Sequence, residues 1–91
     1  MSGFLSLTGK TALVTGGSRR IGAAICMELA ARGAAVAVHY RHSEAEAVAL
    51  NRVLKHGVFS VRGDLSTPQG REWVFREAAE WMGRVDILVN N

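Results

Sequence analysis

The chain has 91 residues, enough for one small domain, and 48% of them are apolar, a globular composition rather than a disordered one. No apolar run approaches the roughly 20 residues of a membrane span, so a membrane partner is not expected. The net charge of +3 comes from nine arginines and two lysines against eight acids; these are mixed along the chain with no basic run, so nucleic acid is not an expected partner.

Residues 1–7 have neither a basic start nor a cleavage site, unlike a signal peptide, and a cytoplasmic location is expected. Thr11–Thr15 reads as a first, buried strand. The turn Thr15-Gly16-Gly17-Ser18-Arg19 follows it and opens a helix from Arg20 to Arg32. The core face of that helix is predicted at Ile21, Ile25 and Leu29, spaced i, i+4 and i+8. Cys26 lies beside these positions and reads as small apolar packing; a lone cysteine also excludes an internal disulfide. Gly33 stops the helix.

Ala34–Tyr40 is the second strand, apolar over most of its length, which marks a parallel sheet covered on both faces. A second helix starts at Ser43, where Ser43-Glu44-Ala45-Glu46 fits a capping box, and runs to about His56, with Gly57 ending it. Val58–Val61 is the third strand and Gly63–Thr67 the loop at its far end. Pro68 opens a third helix whose apolar face is predicted at Trp73, Val74, Phe75, Ala78, Trp81 and Met82, closed by Gly83. Asp86–Val89 is the fourth strand, followed by Asn90 and Asn91. Strand and helix alternate throughout, which predicts an α/β Rossmann-type, doubly wound parallel sheet in the order 3-2-1-4. The domain expected over residues 1–91 is the N-terminal half of a nucleotide-binding domain, ending after its fourth strand and inside a motif.

Chemistry concentrates at two places. In the turn after the first strand, Gly16 and Gly22 permit close backbone approach. Ser18 offers a hydroxyl, Arg19 and Arg20 offer charged donors, and the helix start offers free N–H groups to a phosphate. At the end of the second strand, about 20 residues beyond the glycines, NAD-binding proteins place an acid for the ribose. Here the sequence is Tyr40-Arg41-His42-Ser43. Arg41 and His42 suit a 2′-phosphate that a carboxylate would repel, so NADP(H) is preferred over NAD. Asp64 reads either as an adenine contact or as a loop acid capping the third helix. His39, His42 and His56 have no acidic or cysteine partners at ligand spacing, so no metal site is predicted.

The residues Thr15-Gly16-x-x-x-Arg20-Ile21-Gly22, then Asp64-Leu65, then Asp86-Ile87-Leu88-Val89-Asn90-Asn91, resemble the short-chain dehydrogenase/reductase family. Family members normally carry glycine where Arg20 stands. An arginine there, with His39-Tyr40-Arg41-x-Ser43 after the second strand, is similar to the pteridine reductase-like branch. The resemblance implies an NADP(H)-dependent oxidoreductase acting on a carbonyl or pterin-like small molecule, homo-oligomeric as a complete protein. It implies that Gly16, Ser18, Arg19, Arg20 and Ile21 line the pyrophosphate and nearby ribose. Tyr40, Arg41, His42 and Ser43 would hold the 2′-phosphate. Asp64 would bind the adenine amino group beside the Leu65 backbone. Asn90 and Asn91 would begin the Asn-Asn-Ala-Gly motif, and the arginine matching Arg20 would reach toward the pterin.

The family's catalytic Tyr-x-x-x-Lys pair has no counterpart in these residues. Tyr40 is the single tyrosine and Glu44 stands four residues on; Lys10 and Lys55 are the lysines. No catalytic residue is therefore assigned, and residues 1–91 alone are expected to be inactive. Two further readings stay open: an NADP(H)-binding module without chemistry, and an interaction module docking through an exposed fourth strand.

Overall fold

The computed structural model describes residues 6–54 and 58–91. Its elements in chain order are β1 (Thr11–Val14), α1 (Arg20–Ala31), β2 (Ala35–Tyr40), α2 (Glu44–Leu54), β3 (Val58–Arg62), α3 (Pro68–Met82) and β4 (Ile87–Val89). The strands form one four-stranded parallel sheet in the order β3-β2-β1-β4, as expected. The predicted end of the second helix at His56 and Gly57, and Lys55, lie outside the described residues, as do residues 1–5.

Side chains alternate across a strand with a period of two, so an all-apolar strand must feed two cores. Val14, Val36 and Val38 point to one face and pack with Cys26 of α1 and Leu50 of α2. Leu13, Ala37 and Val61 point to the other and meet Val74 and Ala78 of α3. The register Val14↔Val38 and Val14↔Val89 brings the carboxyl ends of β2, β1 and β4 to one edge. The chain runs from β1 outward through β2 and β3, then returns to pair β4 with the other side of β1. That reversal opens a crevice at the carboxyl edge, the usual ligand position in open α/β sheets.

Two predicted faces need correction. Ile21 is 70% exposed, and the innermost residues of α1 are Gly22 and Cys26, flanked by the half-buried Ile25 and Leu29. The first turn of α1 crosses directly over the preceding turn, and a Cβ at Gly22 would collide with the Gly16 carbonyl oxygen. The smallest residue must face inward there, which rotates Ile21 out. On α3 the inward stripe is Val74, Ala78 and Met82, at i, i+4 and i+8, which leaves Trp73 and Phe75 about half exposed. Trp81 covers Phe59 of β3 in a stacked pair with ring centroids 5.1 Å apart.

The opposite edge of the β1–β4 seam is pinned by Asp86, whose Oδ2 accepts from the Thr11 backbone N–H at 2.9 Å and lies 3.1 Å from the Thr11 hydroxyl. Arg84 adds a 3.0 Å ion pair to the same carboxylate.

Candidate nucleotide-binding site

The turn between β1 and α1 is fastened through its glycines. Gly16 takes φ +60°, the left-handed region that favours glycine. Its N–H donates to His39 Nδ1 at 2.9 Å, and its carbonyl accepts from Asn91 Nδ2 at 3.1 Å. The Gly17 N–H donates to the His39 carbonyl at 2.9 Å, and its own carbonyl accepts from the Cys26 thiol at 3.5 Å. Burial pushes the Cys26 thiol up to about 12, so it stays protonated and donating. Holding the turn in place uses both glycine N–H groups.

Free donors stand instead at the start of α1. The first bond of the helix runs from Ala23 N to Arg19 O at 3.2 Å. Among the described residues no acceptor meets the N–H groups of Arg20, Ile21 and Gly22. They stand in the first turn of the helix, at the positive end of its dipole, where unpaired backbone donors suit an anion. Gly16, Arg19, Arg20, Ile21 and Asn91 line an open cavity of about 700 Å³ at this point. Ser18, expected to offer its hydroxyl here, is 6% exposed and is not part of that lining.

Arg20 itself takes φ +53°, the one non-glycine residue with positive φ among the described residues. Its Cβ is crowded in that conformation, at a cost of about 1–2 kcal/mol. The geometry explains why glycine suits this position. It also shows that the arginine is held there against a local preference, a pattern found at functional sites.

On the other side of β2 the predicted residues gather around the loop after β3. Arg41 and His42 are exposed and Tyr40 half-buried. The Tyr40 carbonyl accepts from Gly63 N at 3.1 Å. Arg41 Nη2 lies 3.1 Å from Asp64 Oδ2, so the two residues singled out separately in the sequence meet in space. Asp64 Oδ1 accepts from the hydroxyl of Ser66 at 2.6 Å and from its N–H at 2.9 Å. The Ser66 hydroxyl, then the Ser66 N–H, and behind them the Arg41 charge hold the Asp64 carboxyl below its ordinary range. The helix-capping role considered for Asp64 falls to Thr67, whose hydroxyl oxygen accepts from Gly70 N at 3.0 Å. Ser43 precedes α2, and its carbonyl accepts from Ala47 N at 3.0 Å.

Asn90 and Asn91 part company. Asn91 N–H donates to the Thr15 hydroxyl oxygen at 3.0 Å, and its amide clamps Gly16. Asn90 faces a second, largely apolar cavity of about 470 Å³ between β4 and α3, shared with Leu13, Leu65, Val74 and Leu88. Successive residues leave a strand on opposite faces, so a consecutive pair serves two compartments.

Sequence reading gave no role to His39, which is 5% exposed and ties the turn to the β3 loop. A polar residue inside an otherwise apolar strand was the available signal, because such a group needs partners. Among the described residues no three His, Cys, Asp or Glu side chains gather at metal-binding distance, and no helix is long and apolar enough to cross a membrane.

The short chain dehydrogenase family model matches residues 10–91. The chain is 42% identical over 91 residues to hydroxynaphthalene reductase arp2 of Aspergillus fumigatus, covering 97% of this chain and 33% of that protein. It is 41% identical over 90 residues to the short-chain dehydrogenase/reductase homolog YusS of Bacillus subtilis, covering 96% of this chain and 83% of that protein. A crystal structure of a short chain dehydrogenase from Burkholderia cenocepacia in complex with NADP superposes with a TM-score of 0.88 at 43% identity, over 93% of this chain and 36% of that one. The chain thus spans about a third of the length of most of the relatives it matches.

Proposed function

The chain belongs to the short-chain dehydrogenase family, and on that premise we propose that it is the cofactor-binding half of an NADP(H)-dependent oxidoreductase acting on a carbonyl or pterin-like small molecule. Bound NADPH would supply the hydride. These residues would bind the rest of the cofactor, with the pyrophosphate over the free N–H groups of α1 between Arg19 and Arg20. Asp64 would lie toward the adenine and Arg41, His42 and Ser43 toward the 2′-phosphate. Arg20, on the rim of the cavity, would bridge phosphate and substrate.

One observation carries the reading. The carboxyl end of β2 presents an exposed guanidinium where an NAD site would present a carboxylate. One nitrogen of Arg41 meets Asp64, and an arginine fork has further donors for a phosphate. The NADP complex of the Burkholderia relative agrees with this preference.

Titration with 2′,5′-ADP and with ADP tests it. A charged hydrogen bond of about 1.5–3 kcal/mol predicts a preference of about 10- to 100-fold for the 2′-phosphate. Arg41→Asp should abolish that preference, and equal affinities in the unaltered protein would refute the assignment. With Tyr40 followed by Glu44 in place of a Tyr-x-x-x-Lys pair, these 91 residues should not oxidise NADPH with any carbonyl or pterin substrate. Sustained NADPH consumption would overturn that part.

A further inference from the structure

We propose that His39 is a positioning residue that anchors both halves of the nucleotide site, one through each ring nitrogen: the turn facing the pyrophosphate and the loop facing the adenine. This deepens the NADP(H) reading and rests on it.

The imidazole has a partner on each side. Nδ1 lies 2.9 Å from Gly16 N, and Nε2 lies 2.8 Å from Gly63 O. An N–H only donates and a carbonyl only accepts, so Nδ1 accepts and Nε2 donates. Both partners are met together by the neutral, Nε2-protonated tautomer. The His39 carbonyl adds a third tie, to the Gly17 N–H.

Each tie sets one side of the site. Gly16, with its N–H on the ring and its carbonyl on Asn91, is fixed where it turns the chain into α1. The direction of that start aims the free N–H groups of Arg20, Ile21 and Gly22. On the other side Gly63 is wedged between the ring and α3, since a Cβ on it would collide with Val74. The next residue is Asp64, whose carboxylate meets Arg41. Nδ1 therefore holds the side with the phosphate donors, and Nε2 the side with the adenine loop. The ring is 5% exposed and does not line the phosphate cavity, so its action is through these backbone groups.

The two side-chain ties can be cut one at a time. Asparagine can place an amide oxygen near the Nδ1 position but does not reach Gly63. Glutamine can place an amide nitrogen near the Nε2 position and offers Gly16 no acceptor. Binding of two partial ligands, inorganic pyrophosphate and adenosine 2′-monophosphate, is measured by chemical-shift titration. His39→Gln should weaken pyrophosphate about tenfold, the effect of one buried hydrogen bond, and leave adenosine 2′-monophosphate little changed. His39→Asn should do the reverse. Parallel loss of both ligands in both variants overturns the assignment of one side to each ring nitrogen while leaving the NADP(H) reading intact. Failure of the unaltered protein to bind either ligand overturns the NADP(H) reading and the anchoring role with it. Nitrogen-15 shifts of the unaltered protein give an independent readout, with Nε2 protonated and Nδ1 accepting; an Nδ1-protonated ring or an imidazolium would refute the assignment.

Discussion

Replacing Arg20 by glycine should make the protein more stable and the proposed phosphate site weaker. At φ +53° an L-residue with a Cβ carries about 1–2 kcal/mol of backbone strain. Glycine releases that strain but loses about 0.5–1 kcal/mol more chain entropy on folding. The net gain is about 0.5–1 kcal/mol. For a chain of 91 residues this raises the midpoint of thermal unfolding by about 3–5 °C. The same change removes a guanidinium from the cavity lined by Gly16, Arg19, Ile21 and Asn91. Losing one charge-assisted contact to a pyrophosphate lowers ADP affinity by about 10- to 100-fold. Arg20→Ala separates the two effects, because it keeps the Cβ and the strain while losing the charge. The assays are thermal unfolding of the three proteins side by side and calorimetric titration with ADP. If Arg20→Gly is no more stable than Arg20→Ala, the strain argument is wrong. If both variants bind ADP as the parent does, Arg20 has no part in the phosphate site.

Two further outcomes follow from the titrating groups. The Thr11 N–H, Arg84 and the Thr11 hydroxyl hold the Asp86 carboxyl below its ordinary value. The stability this contributes is complete above the unfolded value of about 4 and is lost as the pH falls through the lower folded value. Denaturant unfolding at a series of pH values should show the parent losing more stability below about pH 4 than Asp86→Asn does; identical acid limbs would refute the role of the carboxylate. The Cys26 thiol, buried and raised to about 12, should resist alkylation at neutral pH until the protein unfolds. Rapid stoichiometric labelling of the folded protein would show that the turn above it opens locally.

The element order and strand order were legible because the signals for them are local. Continuous apolar strands alternate with helices, and Gly33 and Gly83 stop two of those helices at φ +100° and +84°. The expected faces of α1 and α3 hold at Ile25, Leu29, Val74, Ala78 and Met82 and fail at Ile21, Trp73 and Phe75. Periodicity finds an apolar stripe but not how closely the backbone passes beneath it. Gly22 faces inward on α1 because the turn leaves no room for a Cβ, and that displaces Ile21. Residue types also do not show pairing across the sheet. Arg41 and Asp64 each looked like a nucleotide contact, yet their proximity depends on the β2–β3 register, in which Tyr40 is level with Arg62. His39 was the least legible, since its ring partners are backbone groups 23 and 24 residues away that any residue type would supply.

The seam between β1 and β4 bounds the proposed site, and packing alone does not explain how it keeps its geometry. β4 pairs with β1 through three described residues, Ile87, Leu88 and Val89, and Leu88 is 59% exposed. The seam is closed at both ends by threonines of β1 and the turn. At one end Thr11 exchanges bonds with Asp86: its N–H donates to the carboxylate, and its hydroxyl oxygen accepts from the Asp86 N–H at 3.0 Å. At the other, the Thr15 N–H donates to Val89 O at 3.0 Å, and its hydroxyl oxygen accepts from the Asn91 N–H. These bonds extend a three-residue ladder at either end without needing further buried area. Asn91 then carries the alignment onward, because its amide grips the carbonyl of Gly16, whose N–H is on His39. A continuous hydrogen-bonded path thus runs from β4 through the turn to β2 and on to the Asp64 loop. A short, partly exposed strand can then fix the edge of the proposed site, because the fixing is done by directional bonds to the backbone rather than by side-chain burial.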